Sequence, residues 1–244
     1  NVILSVGPTS ELADDANNCD EVHDLSGHMV LPGLVNTHHH LFQNLTRVVP
    51  AAQEHSLFGW LKTLYPIWLN LQPKDFYVAA ATGLAELVLS GCTTSSDHQY
   101  LFPNGSRLED SIEAAADVGI RFTATRGSMS IGESKGGLPP DQLCEAEHNI
   151  LKDCLRVIDA HHDASDHAMI QIALAPCSPF SVSTGLMADT ATMAADKGVG
   201  LHTHLAENSE DIDYSLAQFG QRPGDYAEAL GWTGEHVWHA HCVQ

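Results

Sequence analysis

The chain has 244 residues, 43% of them hydrophobic, and sets 31 acidic against 11 basic side chains for a formal net charge of −20. That length buries a substantial core and suits one barrel-sized domain or two small ones. The acid excess argues against nucleic acid as a partner, since phosphate affinity comes largely from Lys and Arg, and no apolar run reaches the roughly 20 residues of a membrane span.

From the N-terminus, Val2–Val6 reads as a strand, and residues 21–30 read as two short strands around Ser26-Gly27. Strand-like runs then fall at 29–38, 92–97, 120–126, 168–175, 199–204 and 236–242. Helical periodicity occupies 56–71, 74–90, 108–118, 142–161, 185–197, 210–219 and 225–230. This alternation predicts parallel βα units. Residues 168–175 are nearly continuous apolar, as a strand covered on both faces requires. An open Rossmann sheet is the rival, but no strand is followed by Gly-x-Gly-x-x-Gly.

The six cysteines, at 19, 92, 144, 154, 177 and 242, form no Cys-x-x-Cys pair, so reduced thiols are expected rather than a zinc ribbon or disulfide scaffold. Cys242 reads as small-residue packing. The opening residues lack a basic leader followed by an apolar core, and a cytoplasmic setting is expected.

Chemistry concentrates at three strand ends. Leu31-Pro32-Gly33-Leu34-Val35-Asn36-Thr37-His38-His39-His40 ends in alternating faces, with His38 and His40 on one side and His39 on the other. Gly200 to Glu207 contains His202 and His204 on one face; His236 to Cys242 contains His239 and His241. Histidine-bearing strand ends far apart in sequence are explained by a parallel barrel, which gathers the C-terminal ends of its strands. Spacing alone leaves His202 or His204, and His239 or His241, as the functional member of each pair. A histidine-rich metal-binding protein would also account for 16 histidines, though not for a glutamate placed three residues after His204.

Pro-Gly-Leu-Val-Asn-Thr-His-x-His, His-Thr-His-Leu-Ala-Glu and His-Cys-Val, in this order, resemble the amidohydrolase superfamily, in the branch of s-triazine hydrolases and guanine-type and adenosine-type deaminases. The resemblance runs from about Val22 to Gln244. It implies a (β/α)8 TIM-type barrel over residues 31–244 with part of a small β-sandwich domain at 1–30. Six βα units are visible here, so the chain reads as part of a longer polypeptide, with the branch's eighth-strand aspartate outside it.

The resemblance selects His38, His40 and His204 as ligands of one divalent ion, Zn²⁺ first and Fe²⁺ second. It makes Glu207 the proton donor to the ring and to the departing amine, with His241 hydrogen-bonding the water or the leaving group. Gln43 and Arg126 are the candidate substrate groups, able together to bind a purine carbonyl edge; the alternative is Arg126 paired with a protein carboxylate and Gln43 held by backbone. Phe58, Trp60, Tyr65 and Trp68 read as helix packing rather than a stacking platform. The implied activity is hydrolytic deamination of a small heterocycle. Residues 41–47 and 125–130 most resemble the enzymes that turn 8-oxoguanine into urate and ammonia, with guanine, adenosine-type and s-triazine substrates as alternatives. A homo-oligomer is expected, with no nucleic-acid or membrane partner.

Overall fold

The structure, a computed structural model, describes residues 2–12 and 18–244. Contacts divide it into two units, Asn1–Gly33 and Leu34–Gln244. In the first, the Ser26-Gly27 turn forms: Asp24 Oδ1 accepts from Ser26 N at 2.9 Å and from its hydroxyl at 2.6 Å, and Gly27 takes φ 79°. The strands expected at Val2–Val6 and within 21–30 do not form among the described residues. Their side chains are mostly exposed, leaving no apolar face to hold a ladder.

The second unit alternates strand and helix. Its strands are β1 (Leu34–Asn36), β2 (Cys92–Gln99), β3 (Arg121–Ser128), β4 (Ile170–Pro176), β5 (Gly200–Leu205) and β6 (Val237–His241). Its α-helices are α1 (Leu57–Trp68), α2 (Pro73–Leu89), α3 (Leu108–Val118), α4 (Glu147–His161), α5 (Thr184–Lys197), α6 (Ser209–Phe219) and α7 (Pro223–Ala229). All six strands pair in parallel in sequence order, β1 to β6. A doubly wound sheet reverses direction at a switch point; this one does not. It curls instead, since Trp238 Nε1 on β6 donates to the Thr37 carbonyl beyond β1 at 3.0 Å although those strands lie at opposite edges. The result is six strands of a TIM-type barrel.

Local chemistry explains the boundaries. Ser183 Oγ caps α5 by accepting from Leu186 N at 3.0 Å, and Asn208 Oδ1 caps α6 by accepting from Asp211 N at 3.0 Å. The helix expected over 142–161 begins only at Glu147. Before it Asp141–Leu143 make a 3-10 turn and the chain is extended at Cys144 and Ala146, where Glu145 N is bonded to the Met129 carbonyl at 2.9 Å. β1 covers only three of the ten expected residues, with Leu34 and Val35 exposed on an edge.

Apolar faces of α3–α5 and α7 pack on the sheet around Phe122, Leu174, Leu186 and Trp232, whose indole donates to the Met187 carbonyl at 3.0 Å. A second, aromatic cluster of Phe42, Trp68, Phe76 and Tyr100 sits at the other end of the strands, where the loops begin. Burying each such ring contributes on the order of 2–3 kcal/mol. Gly83 lets α2 approach the turn at Leu41–Thr46, for a Cβ there would meet Asn44 Nδ2 at 2.1 Å. Among the described residues no helix is long and apolar enough to cross a membrane.

Candidate metal centre

The alternation that separates His39 from His38 and His40 persists past the end of β1. The His38 and His40 rings meet edge to face at 4.7 Å, and His40 stacks on His204 at 5.0 Å. Five histidines converge: His38 and His40 after β1, His98 on β2, His202 and His204 on β5. His241, at the end of β6, stacks on His204 at 5.3 Å.

Carbonyl partners fix which ring nitrogens carry protons, since a carbonyl can only accept. His40 Nδ1 donates to His98 O at 2.7 Å and His204 Nδ1 to Cys177 O at 2.6 Å. Burial holds both rings well below the ordinary imidazole pKa, so neither gains a second proton near neutrality. Their Nε2 atoms, 3.0 Å apart, therefore present two lone pairs to each other. No hydrogen bond can join them. A cation can: two imidazoles at roughly 2.0–2.1 Å from a tetrahedral zinc stand about 3.3 Å apart.

Further donors face the same place. His98 Nε2 donates to Ala175 O at 3.0 Å, which leaves its buried Nδ1 unprotonated and without a partner. His202 Nδ1 donates to Trp238 O at 2.8 Å, so its Nε2 accepts from His38 Nδ1 at 2.7 Å and the free His38 nitrogen is Nε2. His40, His98 and His204 present ligand atoms within 4.8 Å of one another, as do His38, His204 and His241. Oriented, neutral imidazoles backed by carbonyls are the donor set that divalent transition metals take.

Glu207 follows Ala206, whose φ of 51° turns the chain out of β5. The Glu207 carboxyl comes within 3.6 Å of His241 Nε2. Burial, with the Asp211 carboxylate nearby, pushes Glu207 up to about 7, while burial pushes His241 down. Both shifts disfavour the charged forms and so weaken an ion pair between them.

A cavity of about 370 Å³ opens over these groups, lined by His38, His40, His204, Glu207, His241, Gln43, Tyr100, Cys177, Ser178 and Ser181 on its polar side. Leu57, Trp60, Leu61, Tyr65 and Phe180 form the apolar wall. The α1 aromatics thus divide: Trp68 is core, Trp60 and Tyr65 face the cavity, and Phe58 rests on Phe180 at 6.0 Å. Cys242 is exposed rather than packed.

The structure brings His38, His40, His204, Glu207, His241 and Gln43 to one cavity; Arg126 lies elsewhere. Its guanidinium, 1% exposed, binds Glu145 at 2.8 and 3.0 Å, Asp153 at 2.7 Å and the Gly127 carbonyl at 2.5 Å, under the Phe102 ring at 4.1 Å. It lines a separate cavity with Arg107, Lys152 and Arg156. Its partners are protein carboxylates, 19 and 27 residues along the chain. Two neighbours of the site are absent from the sequence reading. His98 lies beyond the expected end of β2, and Tyr100 follows it; polar residues ending a buried strand, the pattern that marks His38, were the available signal.

Imidazoles from several strand ends, gathered at the C-terminal rim of a parallel, singly wound sheet, define a TIM-type barrel protein with a histidine cluster that could hold a metal ion. The chain belongs to the amidohydrolase family, whose model matches residues 29–244. It is 50% identical over 232 residues to 8-oxoguanine deaminase of Pseudomonas aeruginosa, covering 93% of this chain and 51% of that one. It is 35% identical over 226 residues to hydroxydechloroatrazine ethylaminohydrolase of Pseudomonas sp. strain ADP, covering 91% and 47%. Among solved structures it resembles the zinc complex of atrazine chlorohydrolase TrzN from Arthrobacter aurescens TC1, with TM-score 0.83, 35% identity and coverage of 88% and 49%. The chain spans about half the length of the curated relatives it matches.

Proposed function

We propose that the protein carrying this chain is a metal-dependent hydrolytic deaminase of a nitrogen heterocycle, converting 8-oxoguanine and water to urate and ammonia. The observation that carries this reading is the pair of lone pairs, His40 Nε2 and His204 Nε2, opposed at 3.0 Å beneath a cavity suited to one small ring. The 50% identity to the Pseudomonas aeruginosa deaminase supports the choice of substrate.

His38, His40 and His204 would hold one divalent ion, with Zn²⁺ favoured and Fe²⁺ compatible with the same donors. When bound, such an ion lowers the pKa of water toward about 7 and polarises the carbon under attack. The chain's own residues handle the protons. Glu207, whose carboxyl burial pushes up to about 7, gives a proton to the ring nitrogen beside that carbon and, once reprotonated by a proton released from the attacking water, passes one to the departing amine. His241 hydrogen-bonds the incoming water or the leaving group. Leu57, Trp60 and Phe180 exclude solvent and cover the ring face. The net change is a ring C–NH₂ bond exchanged for C=O, with ammonia released. The resemblance further supports an eighth-strand aspartate that takes the proton of the water, a β-sandwich setting for residues 1–30, and a homo-oligomer.

The test is ammonia release from guanine, 8-oxoguanine, isoguanine, adenosine derivatives and hydroxylated triazines, by wild type and by Glu207→Gln. Turnover lost in the variant with metal content kept supports the enzyme. Metal binding with no ammonia from any ring overturns it in favour of a metal-storage protein. A poor rate on 8-oxoguanine beside a good rate on another ring removes the named substrate alone.

A further inference from the structure

We propose that Tyr100, acting with Gln43, is a specificity-determining residue that donates a hydrogen bond to a carbonyl oxygen on the substrate ring. The inference rests on the deaminase reading and deepens it, restricting the substrates to oxo-bearing rings.

Tyr100 is the first residue beyond β2, and its ring is buried. It stands edge-on to His40 at 5.1 Å and 89°, and to Phe42 at 5.3 Å and 80°. These rings fix the hydroxyl in the cavity wall beside a candidate metal ligand. A phenol offers one hydrogen and can accept as well. Gln43 Nε2 donates to the Tyr100 oxygen at 3.2 Å, and no other polar atom of the described residues bonds that hydroxyl. The phenolic hydrogen is therefore left without a protein acceptor, as is the second amide hydrogen of Gln43. Reversing the Gln43 amide moves both spare donors onto Gln43, with Tyr100 holding it in place. Tyr100 would then donate to Oε1, and both amide hydrogens would be left over. In either arrangement the pair lines the cavity with two spare donors.

Elsewhere on the wall Leu57, Leu61 and Phe180 carry no hydrogen-bonding side chain, while Ser178 and Ser181 bond each other at 2.5 Å and are left with one hydroxyl hydrogen between them. Arg126, the other group capable of holding a carbonyl edge, is committed to Glu145 and Asp153. A buried donor without an acceptor is costly, and a ring oxygen placed there relieves that cost. A ring lacking the oxygen leaves the donors unpaired, which is how a polar pocket discriminates.

The experiment compares wild type, Tyr100→Phe and Gln43→Leu as zinc-loaded full-length protein. The rings are 8-oxoguanine, guanine and oxo-free 2-aminopurine, each read as substrate or as inhibitor. Tyr100→Phe keeps the packed ring and removes only the hydroxyl. We expect kcat/KM on the oxo rings to fall about ten- to hundredfold, mainly through KM, and at least tenfold more than any loss on 2-aminopurine. Calorimetric binding of urate to metal-free protein should weaken by a similar factor. Equal losses on rings with and without the carbonyl, or unchanged KM and urate affinity, overturn the inference while wild-type turnover leaves the deaminase reading standing. Wild type inactive on every ring overturns both.

Discussion

Replacing Arg126 with leucine separates a structural arginine from a substrate-binding one. The side chain is 1% exposed and holds Glu145 through two bonds, Asp153 through one and the Gly127 carbonyl through another. After its removal Asp153 keeps Arg156 at 2.6 Å, whereas Glu145 retains no basic partner among the described residues. Breaking a buried pair costs about 3–5 kcal/mol. Both carboxylates are close to one-third exposed, at 29% and 30%, so water compensates in part and the lower end, about 3 kcal/mol, is expected. That corresponds to a Tm lowered by roughly 6–12 °C in a chain of this size. Urea titration and calorimetry at pH 7 measure it, and repetition at low pH checks the cause. Burial pushes the Asp153 carboxyl up, but Arg126 and Arg156 outweigh it and hold the pKa below its ordinary value. The stabilisation is thus present above pH about 4 and lost as pH falls, so the gap between variant and wild type narrows in acid. A variant within about 0.5 kcal/mol of wild type, with KM raised tenfold or more, would refute this argument and restore Arg126 as a substrate group.

Chelation should lower Tm and stop ammonia release, with Zn²⁺ at a hundredfold over its Kd restoring about 2.7 kcal/mol; the gain should vanish in His40→Ala and His204→Ala, and a zinc-independent Tm would count against the centre. Burial and then Asp211 push Glu207 from 4.5 to about 7, so its contribution in metal-free protein is whole below pH 4.5 and is lost as pH rises through 7. Metal-free Glu207→Gln should therefore exceed wild type in stability at pH 8 by up to about 3 kcal/mol but not at pH 4, as urea titration would reveal. Glu109 behaves oppositely: burial opposes ionisation, but Arg156 hydrogen-bonds the carboxylate and holds it at about 2. Its stabilisation is present above pH 4.5 and lost toward pH 2, and Glu109→Gln should flatten that acid limb in a pH series of Tm values.

Six strands and seven helices were legible because apolar periodicity survives wherever a segment packs on the sheet, as along Ile170–Pro176. The pattern fails where geometry, rather than burial, decides the boundary. β2 runs on past Asp97 through His98 and Gln99, two polar residues whose burial is invisible to hydropathy. A distant carbonyl holds the Glu145 amide between two extended residues, so a helical pattern beginning at 142 overreaches. His38, His40, His202, His204 and His241 stood out by alternation along short motifs, but the choice within each later pair rested on the resemblance, and His98 was missed. The place of Arg126 was not readable, because its partners come from the following loop and α4. Trp60 and Trp68 share one helical stripe, and only the fold decides which meets the cavity and which the core.

The carbonyls that anchor the imidazoles belong to other segments than the rings they hold: His40 leans on β2, His98 on β4, His204 on the residue just past β4, and His202 on β6. A strand misaligned by a single step would turn its side chains to the opposite face and carry the anchoring oxygens out of reach. Tight ion capture is thereby conditional on every neighbouring ladder being correctly aligned. An ion held by these rings would act as an inspector, rewarding only the arrangement in which all the strands agree.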